Sequence, residues 1–414
     1  MNHTFSDLET QHKGMPEVGT SLLSGVSLPA AVIHEPALAH NLAWMQRFCE
    51  DHGARLAPHG KTTMCPELFQ RQLAAGAWGI TLATAPQCRA AFRHGINRLL
   101  MANQLVGEAN MAIVAELIEA GADFYCVVDS VANADQLARY FTARGLRLQV
   151  LIELGVPGGR CGCRDTDDVM ALAERIDSEQ ALVLCGLEGY EGVVHGNDEP
   201  ERAVRAYAWQ LVEAAQALDK DALIESPQPL ITASGSAWYD MIAEVFCEAH
   251  LGKQFVPVLR PGCYVVHDHG IYRQAQHDIL GRRPELERGL KPALEVFAQV
   301  LSLPEPGLAI VGMGRRDIGH DQLPEPLRRY REGDERPGRT LSVAGWRVTK
   351  LMDQHAFVHL PQDEDEPEVG NGRVRVGDIV AFGASHPCLT FDKWRRVCRV
   401  DERLEVVEVM QTLF

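Results

Sequence analysis

Lys61 occupies a position in the sequence where a side-chain amine could do chemistry. Residues 55–57 have the pattern of a short strand, which Pro58 and Gly60 end, and a helical pattern begins near Pro66. In a barrel of alternating strands and helices, the turn after a strand lies on the catalytic face. A partly desolvated amine at such a turn can form a Schiff base with an aldehyde. From these residues alone, a solvated surface lysine is the alternative interpretation.

A possible metal-binding pair, His386 and Cys388, stands near the other end of the chain. In an extended segment, side chains two residues apart point to the same side. The two could therefore hold one ion at bond lengths of about 2.0–2.3 Å and leave other coordination positions open. A His-x-Cys pair is common by chance, so the residues alone also allow a structural role.

Two turns of small residues could bind an anion through their backbone N–H groups. Ser234, Gly235 and Ser236 follow an apolar strand pattern, and Gly262 and Cys263 follow another. Late strands of such barrels are where phosphate groups are usually held, and turns of this kind present their N–H groups to anions. Each turn alone is equally typical of an ordinary loop.

The composition excludes some classes of partner. The 414 residues carry a formal net charge of -16, and the short basic pairs at 282–283 and 328–329 lie among acids, so no nucleic-acid footprint is predicted. No apolar run approaches the roughly eighteen residues of a membrane span, and residues 1–19 lack the apolar core of a signal peptide. The 11 cysteines are interpreted as free thiols in a reducing compartment. We therefore predict a cytoplasmic protein without nucleic-acid or membrane partners.

The elements that must position these residues alternate regularly between Arg55 and Tyr264. Apolar strand patterns recur there, separated by helical patterns such as 109–120 and 201–218. Continuous apolar strands separated by helices are typical of buried parallel sheets. Seven or eight such units favour a TIM-type (β/α)8 barrel over a doubly wound open sheet, because no Gly-x-Gly-x-x-Gly follows the first strand. The strand patterns beyond 55–57 are 79–83, 99–102, 124–128, 148–153, 182–190 and 230–233.

Three stretches within this region resemble a known family. They are Pro58–Thr62, Gly76–Thr84 and Ala102–Gly107. They resemble the pyridoxal-phosphate enzymes of the alanine-racemase-like fold (fold type III), and most closely the branch that holds D-threonine aldolases and D-serine dehydratases. The resemblance runs from about Pro29 to the C-terminus, and it implies that Lys61 carries pyridoxal 5'-phosphate.

The domain organisation follows from the pattern and from this resemblance. Beyond about residue 278 the sequence changes to proline-rich turns and strand-like segments, which predict a C-terminal β domain. The resemblance implies that the early strand near 30–33 joins that domain. The predicted organisation is a flexible leader at 1–25, a cofactor-binding barrel at 34–275, and a β domain at 26–33 and 276–414 that carries the metal site.

The resemblance also implies roles for individual residues at the cofactor. The two small-residue turns would hold the phosphate, and Arg160, in a glycine-dense loop after the 148–153 strand, would hydrogen-bond the phenolic oxygen. Tyr190 matches the family's Gly-x-x-x-Tyr-x-Gly strand end and would lie near the pyridine ring. The implied cofactor-binding residues are Lys61, Arg160, Tyr190, Ser234, Gly235, Ser236, Gly262 and Cys263.

The metal pair separates two activities within the branch. His-x-Cys is the pattern of the D-serine-dehydratase type, whereas His-x-Asp belongs to the D-threonine-aldolase type. Thiolate and imidazole suit zinc, while a carboxylate would favour Mn2+ or Mg2+, which remain possible here. The prediction is a homodimeric, zinc- and pyridoxal-phosphate-dependent lyase that converts a D-3-hydroxy amino acid such as D-serine into a 2-oxo acid and ammonia. Lys61 would be its catalytic base.

Three alternatives stay open at this point. The first is retro-aldol cleavage to glycine and an aldehyde at the same site. The second is an amino-acid racemase, which normally needs a second base on the opposite face, and no tyrosine is identified for that role. The third is a pyridoxal-phosphate carrier protein of the same barrel type, but such proteins lack a C-terminal β domain.

Overall fold

The computed structural model shows a parallel β/α barrel and a mainly antiparallel sheet. It describes residues 13–14, 16–194, 199–251, 255–286, 288–331, 339–361 and 373–414. Within these ranges no helix combines the length and the apolar character that crossing a membrane would require.

The barrel has eight parallel strands in the described part of the chain, in the order β2-β9-β8-β7-β6-β5-β4-β3. A bridge between His59 and Thr81 joins the end of β2 to β3 and closes the ring. Buried residues from seven strand segments, among them Leu151 and Val258, form one cluster inside it. The strands are β2 Arg55–Leu56, β3 Ile80–Leu82, β4 Arg98–Gln104, β5 Asp123–Val128, β6 Leu148–Leu154, β7 Leu182–Gly189, β8 Leu230–Ala233 and β9 Val256–Leu259.

The helices begin where the sequence places capping residues or prolines. Thr84, Ser130 and Asp165 each accept a hydrogen bond from a backbone N–H in the first turn of the helix that follows. Four helix starts, including the one after Thr84, carry proline in the first turn, where its missing N–H costs nothing. The helices described are α1 Glu35–Asp51, α2 Pro66–Ala74, α3 Ala85–Arg93, α4 Glu108–Glu119, α5 Val131–Thr142, α6 Thr166–Asp177, α7 Pro200–Lys220, α8 Tyr239–Glu248, α9 Ile271–Arg282 and α10 Cys388–Phe391.

The second sheet contains the strand that precedes the barrel and the strands that follow it. β1 pairs antiparallel with β10 and parallel with β16, so both ends of the chain meet in this sheet. The strands are β1 Ala30–His34, β10 Leu294–Glu305, β11 Leu308–Val311, β12 Glu325–Tyr330, β13 Arg347–Leu351, β14 Ala356–His359, β15 Ile379–Gly383, β16 Arg396–Val400 and β17 Val406–Gln411.

The predicted fold class, a (β/α)8 barrel with a C-terminal β domain, is confirmed. Two boundaries differ from the prediction. Residues 19–25 are not a flexible leader, because Leu22 is fully buried and Ser21 bridges to Glu405 in the β domain. Helix α9 runs across the predicted division between residues 275 and 276. Residues 1–12 lie outside the described ranges.

Candidate active site

One cavity at the carboxyl ends of the barrel strands collects nearly all of the predicted site residues. Nine of the ten line it. The tenth, His386, has a ring nitrogen within 4.8 Å of the sulfur atoms of Cys263 and Cys388. Cys388 comes from the β domain, so the two parts of the fold meet at this cavity. The predicted lining residues are Lys61, Arg160, Tyr190, Ser234, Gly235, Ser236, Gly262, Cys263 and Cys388.

Lys61 lies on a single 3-10 turn, Gly60–Thr62, between β2 and α2. The turn packs closely on α2, because a side chain at Gly60 would meet the Phe69 ring at 2.6 Å. The lysine side chain keeps accessible surface because it projects into the open cavity. Burial around its ammonium group nevertheless lowers the Lys61 pKa. A lowered pKa increases the fraction of neutral amine, which is the form that attacks an aldehyde.

The two predicted phosphate turns are tied to each other and to a buried carboxylate. Ser236 Oγ accepts hydrogen bonds from the N–H groups of Gly262 and Cys263, at 3.2 and 3.1 Å. The N–H groups of Ser234 and Gly235 instead donate to the Glu191 carboxylate, at 3.0 and 2.6 Å. These four donors therefore already have acceptors within the protein. In the described chain, the N–H groups of Ser236 and of the next residue, 237, make no such bond, and these residues lie just before the start of α8.

Glu191, which the sequence analysis did not single out, holds the Ser234–Gly235 turn in place. Its side chain is 1% exposed, and burial raises its pKa against the effect of the two N–H donors. Ser234 has a φ of 90°, in the left-handed region that a residue other than glycine seldom adopts. The carboxylate therefore stabilises a strained turn at the edge of the cavity.

Replacing Glu191 by glutamine is expected to lower the free energy of unfolding by about 1–3 kcal/mol. The glutamine oxygen can accept a hydrogen bond from one of the two N–H groups. The glutamine NH2 group would then face the other N–H group, so two donors would meet without an acceptor. Thermal or denaturant unfolding of the apoprotein, followed by circular dichroism, measures the change. The matched control is Glu119→Gln at an exposed position on α4, which should change stability by less than about 0.5 kcal/mol. Equal stability of both variants would contradict this role.

Arg160 and Tyr190 form a stacked pair at the cavity wall. The guanidinium carbon of Arg160 lies 4.7 Å from the centre of the Tyr190 ring. Gly192 and Gly235 leave room for that ring, since a Cβ at either would come within 2.9 Å of it. The predicted position of Tyr190 at the end of β7 is thus part of a tightly fitted wall.

His386 and Cys388 converge as predicted, but the expected reason was wrong. Pro387 between them has helical dihedral angles, and Cys388 begins the short helix α10. The segment is therefore not extended. One ligand atom from each of His386, Cys388 and Cys263 lies within 4.8 Å of the others. Asp321 hydrogen-bonds His386 Nδ1 at 3.2 Å, which leaves Nε2 available as a ligand.

The charge state of the two thiols at this site is uneven. The pKa of Cys388 is lowered because the Cys263 thiol, and then His386, hydrogen-bond its sulfur. The pKa of the Cys263 thiol is raised, first by burial and then by its thiolate neighbour. A bound cation would remove this difference by holding both sulfurs as thiolates.

Comparison with known proteins decides the family. The family described as Alanine racemase, N-terminal domain, matches residues 33–265, more than half of the chain. The chain belongs to the alanine-racemase-like pyridoxal-phosphate enzymes. A second family, described as Putative serine dehydratase domain, matches residues 293–400, which contain both His386 and Cys388.

Individual members of this family resemble the chain over most of its length. The D-threo-3-hydroxyaspartate dehydratase of Delftia sp. (strain HT23) is 32% identical over 377 residues, which are 87% of this chain and 91% of that protein. The D-threonine aldolase of Arthrobacter sp. is 28% identical over 84% of each chain. The crystal structure of D-threonine aldolase from Filomicrobium marinum superimposes with a TM-score of 0.77, at 23% identity, over 96% of this chain and 97% of that one.

The residues of this family member fit a bound pyridoxal phosphate. Arg260 lines the cavity, is 4% exposed, and pairs with buried Glu188 and with the carbonyl of Gly189. Its Nε atom is buried and has no hydrogen-bond partner in the described part of the chain. A buried donor of this kind costs free energy unless a ligand pairs with it. Together with Lys61 and the free N–H groups before α8, it provides polar contacts for an anionic, aromatic aldehyde.

Sequence reasoning assigned no site role to Arg260, Thr62 or Tyr272, which also line the cavity. Arg260 directly follows the apolar strand β9, and a charged residue at the end of such a strand was a usable signal. Thr62 and Tyr272 gave no such signal. Tyr272 reaches the site from α9, and burial raises its pKa. The raised pKa favours a protonated hydroxyl, which can donate a hydrogen bond.

Proposed function

We propose that this protein is a pyridoxal-phosphate- and zinc-dependent lyase that dehydrates a D-configured 3-hydroxy amino acid such as D-serine. The products would be a 2-oxo acid and ammonia. The observation that carries the proposal is the cluster of His386, Cys388 and Cys263 at the cavity that contains Lys61. Imidazole and thiolate ligands bind zinc in preference to harder ions such as Mg2+ and Mn2+.

Each residue has a separate task in this proposal. Lys61 binds the cofactor aldehyde in the resting enzyme, and its amine is placed to take the proton from the substrate α-carbon. His386 and Cys388 hold the metal beside the cavity, where the substrate hydroxyl would lie. When bound, pyridoxal phosphate supplies an electron sink and zinc supplies a Lewis acid. Arg160 and Tyr190 form the wall against which the cofactor ring would be positioned.

The relatives support this substrate class and leave a second candidate reaction. One is a D-threo-3-hydroxyaspartate dehydratase and another a D-threonine aldolase, both similar over more than four fifths of the chain. Retro-aldol cleavage to glycine and an aldehyde is therefore the second candidate. In this proposal both reactions use a metal near the β-hydroxyl, and they differ in whether that group leaves or loses its proton.

A product assay separates the two reactions. Purified protein with pyridoxal phosphate and Zn2+ would be given D-serine, D-threonine and D-threo-3-hydroxyaspartate, with the L-isomers as controls. Keto acid and ammonia in equal amounts support the proposal. Glycine and aldehyde as the chief products would replace it with the aldolase, and interconversion of isomers with neither product would indicate a racemase.

Removal of the metal is expected to abolish dehydration while the cofactor stays bound. The reason is that the metal acts on the hydroxyl, whereas the cofactor is held by Lys61 and the barrel turns. Prolonged dialysis against a chelator, with metal loss confirmed by elemental analysis, should lower turnover at least about 100-fold, the usual size of a lost Lewis-acid or oxyanion contact. The visible absorbance of the bound cofactor should persist, and Zn2+ should restore activity. Undiminished turnover of metal-free protein would contradict the proposed role of the metal.

A further inference from the structure

The side chain of Cys263 makes a contact of its own, besides the hydrogen bond that its backbone N–H group makes to the other phosphate turn. Its N–H group donates to Ser236 Oγ, and its Sγ lies 3.7 Å from Cys388 Sγ. The residue is 3% exposed. Its sulfur thus lies at the candidate metal centre, although it comes from the barrel and Cys388 comes from the β domain.

The separation of the two sulfurs matches the edge of a zinc coordination tetrahedron. Zinc–sulfur bonds of about 2.3 Å at the tetrahedral angle place two thiolates about 3.8 Å apart. Two uncharged thiols in van der Waals contact would be at a similar distance, so the distance alone does not decide. His386 favours a metal site over a contact between two thiols. One of its ring nitrogens lies within 4.8 Å of both sulfurs, and imidazole is the other ligand type that zinc prefers.

The surroundings of the cluster are those of a metal site with one open position. Thr62 Oγ1 lies 3.4 Å from Cys388 Sγ and 3.8 Å from Cys263 Sγ, so a hydroxyl is available to both sulfurs. Asp321 orients the His386 ring by its Nδ1 contact. Cys263 and Cys388 both line the cavity that contains Lys61, so the cluster borders the same cavity as the proposed catalytic amine.

We propose that Cys263 is the third protein ligand of the metal, which gives a centre of one imidazole and two thiolates with its fourth position open to the substrate hydroxyl. This inference rests on the proposed function in that it concerns the same metal. Three protein ligands with one open position are typical of catalytic zinc, whereas two ligands alone would hold the ion weakly. Because Cys263 also anchors the phosphate turn through Ser236, one residue connects the metal centre to the cofactor site.

The wild-type protein provides the first test, which does not depend on turnover. X-ray absorption at the zinc edge of the purified, zinc-loaded holoenzyme counts the sulfur neighbours of the ion. We expect two sulfurs and at least one nitrogen per zinc. One sulfur per zinc would overturn the assignment of Cys263 and leave the His386–Cys388 pair intact, while failure to bind zinc at all would overturn the proposed function itself.

Variants provide the second test, with Co2+ as the probe. The thiolate-to-cobalt absorbance per bound ion should fall by about half in Cys263→Ser, since one of two thiolates is lost. Zn2+ affinity, measured by competition with a chelator, should weaken at least about tenfold, the lower end of what even an outer-shell change costs. Cys247→Ser, at an exposed cysteine on α8, is the matched control and should change neither. Unchanged cobalt absorbance in a folded Cys263→Ser would overturn the inference, and if that variant does not fold the wild-type sulfur count decides.

Discussion

Replacing Lys61 by alanine is expected to abolish the visible absorbance of the bound cofactor and turnover together. One amine serves both as the covalent anchor of the cofactor aldehyde and as the base, so both properties depend on it. The loss of turnover should reach at least about 1,000-fold, within the range for removing a positioned acid or base. Absorbance spectra of the reconstituted variant and product assays on the D-amino acid that the wild type uses provide the measurements.

Two further variants show whether that result is specific to Lys61. Lys61→Arg keeps the positive charge and cannot attach the aldehyde, so it should behave like Lys61→Ala. Lys220→Ala, at an exposed position at the end of α7, should leave both absorbance and turnover unchanged. A Lys61→Ala protein that keeps the wild-type visible spectrum would mean that another amine holds the cofactor.

Replacing Cys388 by aspartate is expected to lower dehydration by at least about tenfold, or about 1.4 kcal/mol in the activation free energy. The change exchanges a soft thiolate for a hard carboxylate, so selectivity for zinc should fall and Mn2+ or Mg2+ should bind relatively better. Some retro-aldol activity on D-threonine is expected, because the aldolase type of this branch carries an acid at this position. Metal content, keto acid and glycine are measured after each metal is restored in turn.

The products and metal preference of Cys388→Asp are compared with those of the wild type, with the same metal restored to both. Cys247→Asp introduces the same side chain at an exposed cysteine and should alter neither product ratio nor metal preference. A Cys388→Asp variant with wild-type dehydration and zinc selectivity would show that Cys388 is not a ligand. A wild-type protein that releases chiefly glycine and aldehyde would instead favour the aldolase as the function.

Local sequence patterns predicted the fold class, and together with the family resemblance they predicted most of the candidate site. The continuous apolar strands between residues 55 and 264 can be buried on both faces only in a parallel sheet covered by helices, which is why the barrel was predictable. A strand was expected before the Gly262–Cys263 turn, but the bounds of β9 were not predicted, because Pro257 interrupts its apolar pattern. Lys61 and the two small-residue turns were candidates because strand ends of such barrels meet at one face, and the family resemblance implied their roles.

Only the tertiary structure decided which groups face one another at that site. Glu191 contacts Ser234, which is 43 residues away in the sequence. Cys263 contacts Cys388, which is 125 residues away. Pro387 has helical dihedral angles, and this turn brings His386 and Cys388 close together. The two-residue spacing alone did not predict that turn. Local patterns specify where a residue stands on its own element, because they reflect burial of that element. They carry no information about the direction from which a distant element approaches, and in this protein that approach brings together the residues of the candidate metal centre.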